Sequence, residues 1–231
     1  MTIFSFSNPV SPFCEGRLNG NGPEYYNSLS SLVMSLWTVG RVIQYSNTGL
    51  LMKDVHFIYS MLFLNCIYSS IFHWNLNSGW KMFDESTMIL PLWIGMQFLL
   101  RVIFDTNRRS LKQYLFVTNV LNSTILVLNS FPEMQWFFPY TFTFELIFLG
   151  YLYTLLRQQV PDNNDFGYNG VSICTMSGIL WWITESFCHK YLRYGHLVWH
   201  IGMPVGVDFI MQYVLQAYRQ KCPILLKESV V

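Results

Sequence analysis

Three histidines, a serine and an aspartate stand at spacings suited to metal-assisted hydrolysis. His196 and His200, in His196-Leu197-Val198-Trp199-His200, are four residues apart, so on a helix both rings leave one face. Far upstream, Ser69 precedes His73 by four residues and Asp84 follows it by eleven. Catalytic zinc commonly takes three protein ligands and keeps a fourth position for water, whose pKa it lowers to about 7. His73, His196 and His200 are the candidate zinc ligands. Asp84 would hold or deprotonate the water, and Ser69 would donate to the developing oxyanion. All five lie in or beside long apolar stretches, where a polar group is costly and so asks for a reason. His56 enters its apolar stretch from the far end and His189 lies in a loop, so neither joins the group.

The elements that must position these residues are membrane helices. Of 231 residues, 52% are hydrophobic, 18% aromatic and only 12% charged, against roughly 25% charged in a soluble domain. The fold class expected is an all-α integral membrane protein, a seven-transmembrane helix bundle. A net charge of +1 offers no basic field and excludes nucleic acid as a partner. The first residues lack a basic region followed by an apolar core, so no cleaved signal is expected and the first span would act as the targeting signal. The sequon Asn122-Ser123-Thr124 falls inside an apolar stretch and should stay unmodified.

With roughly 20 apolar residues needed per crossing, spans are expected near 25–45, 54–73, 82–104, 111–130, 134–157, 168–188 and 196–218. The breaks are turn clusters such as Asn75-Leu76-Asn77-Ser78-Gly79, charged runs such as Asp105-Thr106-Asn107-Arg108-Arg109, and Pro132-Glu133. Residues 1–24 form an N-terminal segment, 25–219 the bundle and 220–231 a tail. Seven crossings put Arg17, Lys81, Lys190 and Arg193 on the N-terminal side and the other ten of the 14 Lys and Arg residues opposite. The positive-inside rule then places the N-terminus in the lumen and the C-terminus in the cytosol. Ser69 and His73 end the second span, Asp84 starts the third, and His196 and His200 start the seventh. All five therefore meet near the luminal face.

Four blocks carry a family resemblance. Ser69-Ser70-Ile71-Phe72-His73, Asp84-Glu85-Ser86-Thr87-Met88, His196-Leu197-Val198-Trp199-His200, and Phe13-Cys14-Glu15 followed by Glu24-Tyr25-Tyr26-Asn27-Ser28 resemble the alkaline ceramidases. These belong to a wider superfamily with the adiponectin and progestin receptors. The resemblance implies a zinc amidase of the endoplasmic reticulum or Golgi that hydrolyses ceramide, a lipid of the bilayer, to a sphingoid base and a fatty acid. Carried over by position, His73, His196 and His200 bind zinc, Asp84 manages the water and Ser69 stabilises the tetrahedral intermediate. Trp199 would either pack on the lipid or anchor the interface.

The family also implies a calcium site at the N-terminus, to which Glu15 and Glu24 correspond. Pro12 and Arg17 stand where an aspartate and an asparagine are expected. Calcium wants six to eight oxygens, so it should matter less here. Arg17 would pair with Glu15 or Glu24 instead, and Asn19 and Asn21 are the remaining oxygen donors. The resemblance further pairs Cys14 with Cys188, while Cys66, Cys174 and Cys222 should stay reduced. Glu145, Glu185 and Asp208 are read as structural hydrogen-bonding groups, with Arg41 a candidate partner. Two other functions share these residues: a receptor-like seven-helix protein using the zinc site for ligand response, and a hydrolase of a different membrane lipid.

Overall fold

Each polar break in the chain ends one helix and begins the next. The computed structural model describes residues 9–10, 12–47, 53–104 and 107–221. Among the described residues a short helix α1 (Cys14–Leu18) precedes seven long ones: α2 (Tyr25–Asn47), α3 (Lys53–Asn75), α4 (Ser78–Ile103), α5 (Arg108–Asn129), α6 (Phe138–Gln159), α7 (Phe166–Phe187) and α8 (Gly195–Lys221). Asparagine side chains start two of them. Asn77 accepts from the Trp80 N–H at 3.0 Å and Asn107 from the Ser110 N–H at 3.1 Å, each satisfying an orphan donor of the first turn. A 3-10 turn over Pro132–Phe137 joins α5 to α6.

The expected turn at 75–79 is tighter than its composition suggests. Only Leu76, in the left-handed region at φ 50°, and Asn77 separate α3 from α4. The Asn77 cap recruits Ser78 and Gly79 into the helix, so α4 begins four residues before the expected 82. The tail beyond residue 221, including Cys222, lies outside the described residues, as do residues 1–8 and 11 of the N-terminal segment.

α7 runs along α8, α3 packs against both α2 and α4, α2 closes on α8, and α6 covers α4. The α7–α8 contact is backbone-close. A Cβ on Gly170 would sit 2.6 Å from the Gly206 carbonyl oxygen, and one on Gly206 would meet Cys174 Sγ at 2.4 Å. Small residues allow such an approach, as they do between helices in membranes. About two turns beyond His200, Asp208 of α8 is buried and gathers four partners. Arg41 of α2 donates through Nε at 2.8 Å, and its Nη2 lies 2.6 Å from Oδ2. Tyr45 donates at 3.1 Å, Gln212 at 2.9 Å and Tyr59 through a short contact. This cluster ties α2, α3 and α8 together below the site.

Apolar side chains also cover the outside of the bundle. Leu29, Leu32 and Leu36 of α2, Phe116 and Val120 of α5, Ile147 of α6 and Trp182 of α7 are all exposed. By length and composition two described helices, α3 and α4, are apolar enough to cross a membrane. α2 is diluted by Ser28, Ser30, Ser31, Ser35 and Thr38, and every one of these is buried inside the bundle.

Candidate metal centre and cavity

The end of α3 and the start of α8 bring three imidazoles together. Ring centroids are 4.9 Å apart for His73 and His196, 4.8 Å for His73 and His200, and 4.7 Å for His196 and His200. One nitrogen from each lies within 4.8 Å of the others. His73 Nε2 and His200 Nε2 are 3.2 Å apart.

Each ring is held from behind through its other nitrogen. His73 Nδ1 lies 2.5 Å from Glu24 Oε2, and the Glu24 N–H also donates to the His73 carbonyl at 3.0 Å. His196 Nδ1 lies 3.2 Å from Glu185 Oε1 on α7. His200 Nδ1 lies 2.9 Å from Ser30 Oγ and 3.0 Å from Ser31 Oγ, both on α2. A carboxylate only accepts, so the protons of His73 and His196 reside on Nδ1 and their Nε2 lone pairs face inward. With the His200 proton also on Nδ1, facing the two serine hydroxyls, three lone pairs converge, an arrangement that a cation stabilises. Orientation by carboxylate and hydroxyl neighbours is how metal-binding histidines are usually held. The donor set, three neutral imidazoles, fits zinc.

Burial pushes the Glu24 carboxyl up, but its hydrogen bond with His73 and its electrostatic interactions with the His73 and His196 rings outweigh it. Its net shift is downward, which keeps it the accepting partner. Glu15 is raised by burial, against the lowering effect of the Tyr26 and Asn27 N–H groups. Those two donors reach it at 2.7 and 2.9 Å, so Glu15 caps the start of α2.

Asp84 is buried in the second turn of α4. Asn65 Nδ2 donates to its Oδ1 at 3.1 Å and to its carbonyl at 2.9 Å. Ser69 lines the same cavity as Asp84 and receives a bond from Ser31 Oγ at 3.3 Å. Ser31 therefore touches both His200 and Ser69. His196, His200, Ser69 and Asp84 line a cavity of about 910 Å³, together with apolar residues such as Leu92, Phe142 and Met203. Its volume falls in the range of small-molecule sites, about 300–1,000 Å³. Trp199 belongs to this cavity wall, buried against Trp181 and Phe142 at 5.5 and 5.7 Å between centroids. It is no interfacial anchor.

The N-terminal segment straps over the site. The Cys14–Cys188 disulfide implied by the resemblance is present, with a Cα separation of 5.1 Å, and Cys66 and Cys174 are free and buried. Arg17 pairs with Glu185 at 3.2 Å rather than with Glu15 or Glu24, and it also donates to the Glu185 carbonyl at 2.8 Å. The reason is local: Glu15 and Glu24 are already saturated by donors. Glu24 Oε1 takes the Phe13 N–H at 2.6 Å and its Oε2 takes Asn27 Nδ2 at 3.1 Å as well as His73. This donor set fits calcium poorly, since N–H groups already point at the oxygens a cation would need. Asn27 Oδ1 alone in this group has no donor among the described residues.

Five positioning residues were not assigned these roles on sequence grounds: Ser30, Ser31 and Asn65, Glu24, which was matched to a calcium site, and Glu185, which was read as structural. Glu145 was read as bonding between helices, yet both its oxygens are buried without a partner among the described residues. His56 and His189 are exposed and are not part of the three-histidine cluster.

Comparison with known families gives one match. The ceramidase family model matches residues 13–222, most of the chain. No curated protein matches it.

Proposed function

We propose a mechanism from one premise: the chain belongs to the ceramidase family and is a hydrolase of the ceramide amide bond. The observation that carries the mechanism is the convergence of three histidine nitrogens whose opposite nitrogens are all engaged. His73, His196 and His200 would hold zinc through their inward nitrogens. When bound, zinc supplies Lewis acidity toward a water and a carbonyl oxygen.

The chain's own residues do the rest. Asp84, fixed by Asn65, accepts the proton of the attacking water. Ser69, supported by Ser31, donates to the carbonyl oxygen as it gains negative charge. The water oxygen bonds to the carbonyl carbon, the carbon–nitrogen bond breaks, and Asp84 returns the proton to the leaving nitrogen. The products are a free sphingoid base and a fatty acid. The apolar part of the cavity takes the hydrocarbon chains.

This chemistry is set inside a bilayer by seven crossings, α2 to α8. Support comes from the apolar exterior of the bundle, the two helices long and apolar enough to span, and the inward-facing polar residues that dilute α2. The four-to-ten split of basic residues supports a luminal N-terminus and a cytosolic C-terminus in the endoplasmic reticulum or Golgi. Residues 1–24 are the luminal N-terminal segment, 25–219 the catalytic bundle and 220–231 the cytosolic tail. Calcium plays a smaller part than the family pattern implies.

The test supplies ceramide in detergent micelles to purified protein and measures sphingoid base. Zinc removal should abolish release and zinc return should restore it. Base release that persists in fully metal-stripped protein overturns the mechanism.

A further inference from the structure

One polar feature of the cavity takes no part in that mechanism. Glu85 follows Asp84 directly on α4, and both line the cavity with Lys81 one turn earlier. Glu85 is only 6% exposed. Its Oε1 lies 3.4 Å from Lys81 Nζ, while its Oε2 is buried with no hydrogen-bond partner among the described residues. An i,i+4 ion pair on an exposed helix leaves its spare oxygen to water and needs no further reason. A dry carboxylate oxygen is different, because leaving such an acceptor unmatched is costly. A ligand that brings its own donor removes that cost.

We propose that Glu85 and Lys81 form the subsite for the hydroxyl-bearing head of the sphingoid base. This rests on the hydrolase reading and extends it to substrate selection. In ceramide the two hydroxyls sit on the carbons flanking the one that bears the amide nitrogen. A subsite for them must therefore adjoin the residue that handles that nitrogen, and Glu85 adjoins Asp84 in the chain and in the cavity wall. A hydroxyl donates to Glu85 Oε2 and accepts from Lys81 Nζ, so one group satisfies both side chains. Simple fatty amides bring no such group and leave Glu85 unmatched. The subsite thus selects the head of the lipid, while the apolar wall of Leu92, Phe142 and Met203 accepts its chains with little discrimination.

The experiment uses the purified full chain with ceramide, 1-deoxyceramide and 3-deoxyceramide. It is paired with a binding readout: the Tm shift of metal-stripped protein on adding sphingosine or 1-deoxysphingosine. The wild type should prefer ceramide over at least one deoxy analogue on the order of 10–100-fold in kcat/KM, the range of a hydrogen bond to a charged group. Glu85→Leu should collapse that ratio toward one and remove the difference between the two bases in Tm shift. Glu85→Gln, which keeps shape and one accepting oxygen, should retain part of it, and it decides the matter if Glu85→Leu does not fold. Equal use of all three substrates by the wild type, or an unchanged ratio in the folded Glu85 variants, overturns the subsite and leaves the hydrolase mechanism standing. Loss of zinc-dependent hydrolysis in a wild type that still tells the two bases apart through Glu85 does the reverse.

Discussion

Replacing Glu185 by alanine tests whether the metal ligands depend on the residues behind them. Its carboxylate has three partners: His196 Nδ1 at 3.2 Å, the Cys14 N–H at 2.8 Å and Arg17 Nη2 at 3.2 Å. These differ in weight. Arg17 is 43% exposed, and an ion pair of that kind contributes about 0–1 kcal/mol. Cys14 is fully buried, so its orphaned N–H costs about 1–3 kcal/mol of stability, although the disulfide keeps the segment in place. Losing the group that orients a metal-binding histidine typically costs about 10–100-fold in metal affinity. Glu185→Ala should therefore lose that factor, while Arg17→Ala stays within about fivefold of wild type. Zinc competition against a chelator of known affinity, with Tm recorded in parallel, separates the two. If Glu185→Ala holds zinc as tightly as wild type, the orientation argument is wrong. If Arg17→Ala falls as far as Glu185→Ala, the effect lies in the strap and not in His196.

Ser69→Ala should lower kcat about 10²–10³-fold, the typical loss of one oxyanion donor, with zinc content unchanged, and Asp84→Asn should fall at least as far because attack and proton return both need it. Wild-type turnover in either folded variant contradicts its role. Cys14→Ser opens a link spanning 174 residues of sequence and should cost about 2–5 kcal/mol of stability, read as a lower Tm; an unchanged Tm counts against the strap. Added calcium should leave the rate unchanged, and a several-fold rise reversed by chelation would restore the calcium site, with Asn27, Asn19 and Asn21 the ligands to test. Arg41→Ala strips one partner from the buried Asp208 cluster and should destabilise by about 3–5 kcal/mol; near-wild-type unfolding would mean water replaces the guanidinium.

The helices could be read from the sequence because apolar runs and polar breaks are local properties. The three histidines that cluster could be read as well, since an i,i+4 histidine pair and a lone histidine in apolar surroundings are conspicuous by type. Their partners could not. Ser30 lies 170 residues from His200, Glu24 lies 49 from His73, and Asp208 lies 167 from Arg41, and no local pattern selects one serine or acid over another at such range. The serines of α2 even pointed the other way. They weakened that helix as a span for the same reason that makes them useful, since each one buried in the bundle subtracts from apparent hydropathy. Arg17 was assigned to the wrong acid because residue type fixes charge complementarity but not which carboxylates the backbone has already claimed.

The two ends of the bundle meet at the metal centre. His73 belongs to α3, while His196 and His200 both belong to α8, the last long helix, and Glu185 comes just before it. A chain emerging from the ribosome carries one of three ligands until nearly all of it has been made. Under the proposed mechanism, metal loading would be a closing step of biogenesis, possible only after the last helix has docked against α2 and α7. Until that moment an incomplete chain would lack the metal and would stay catalytically silent toward its lipid surroundings.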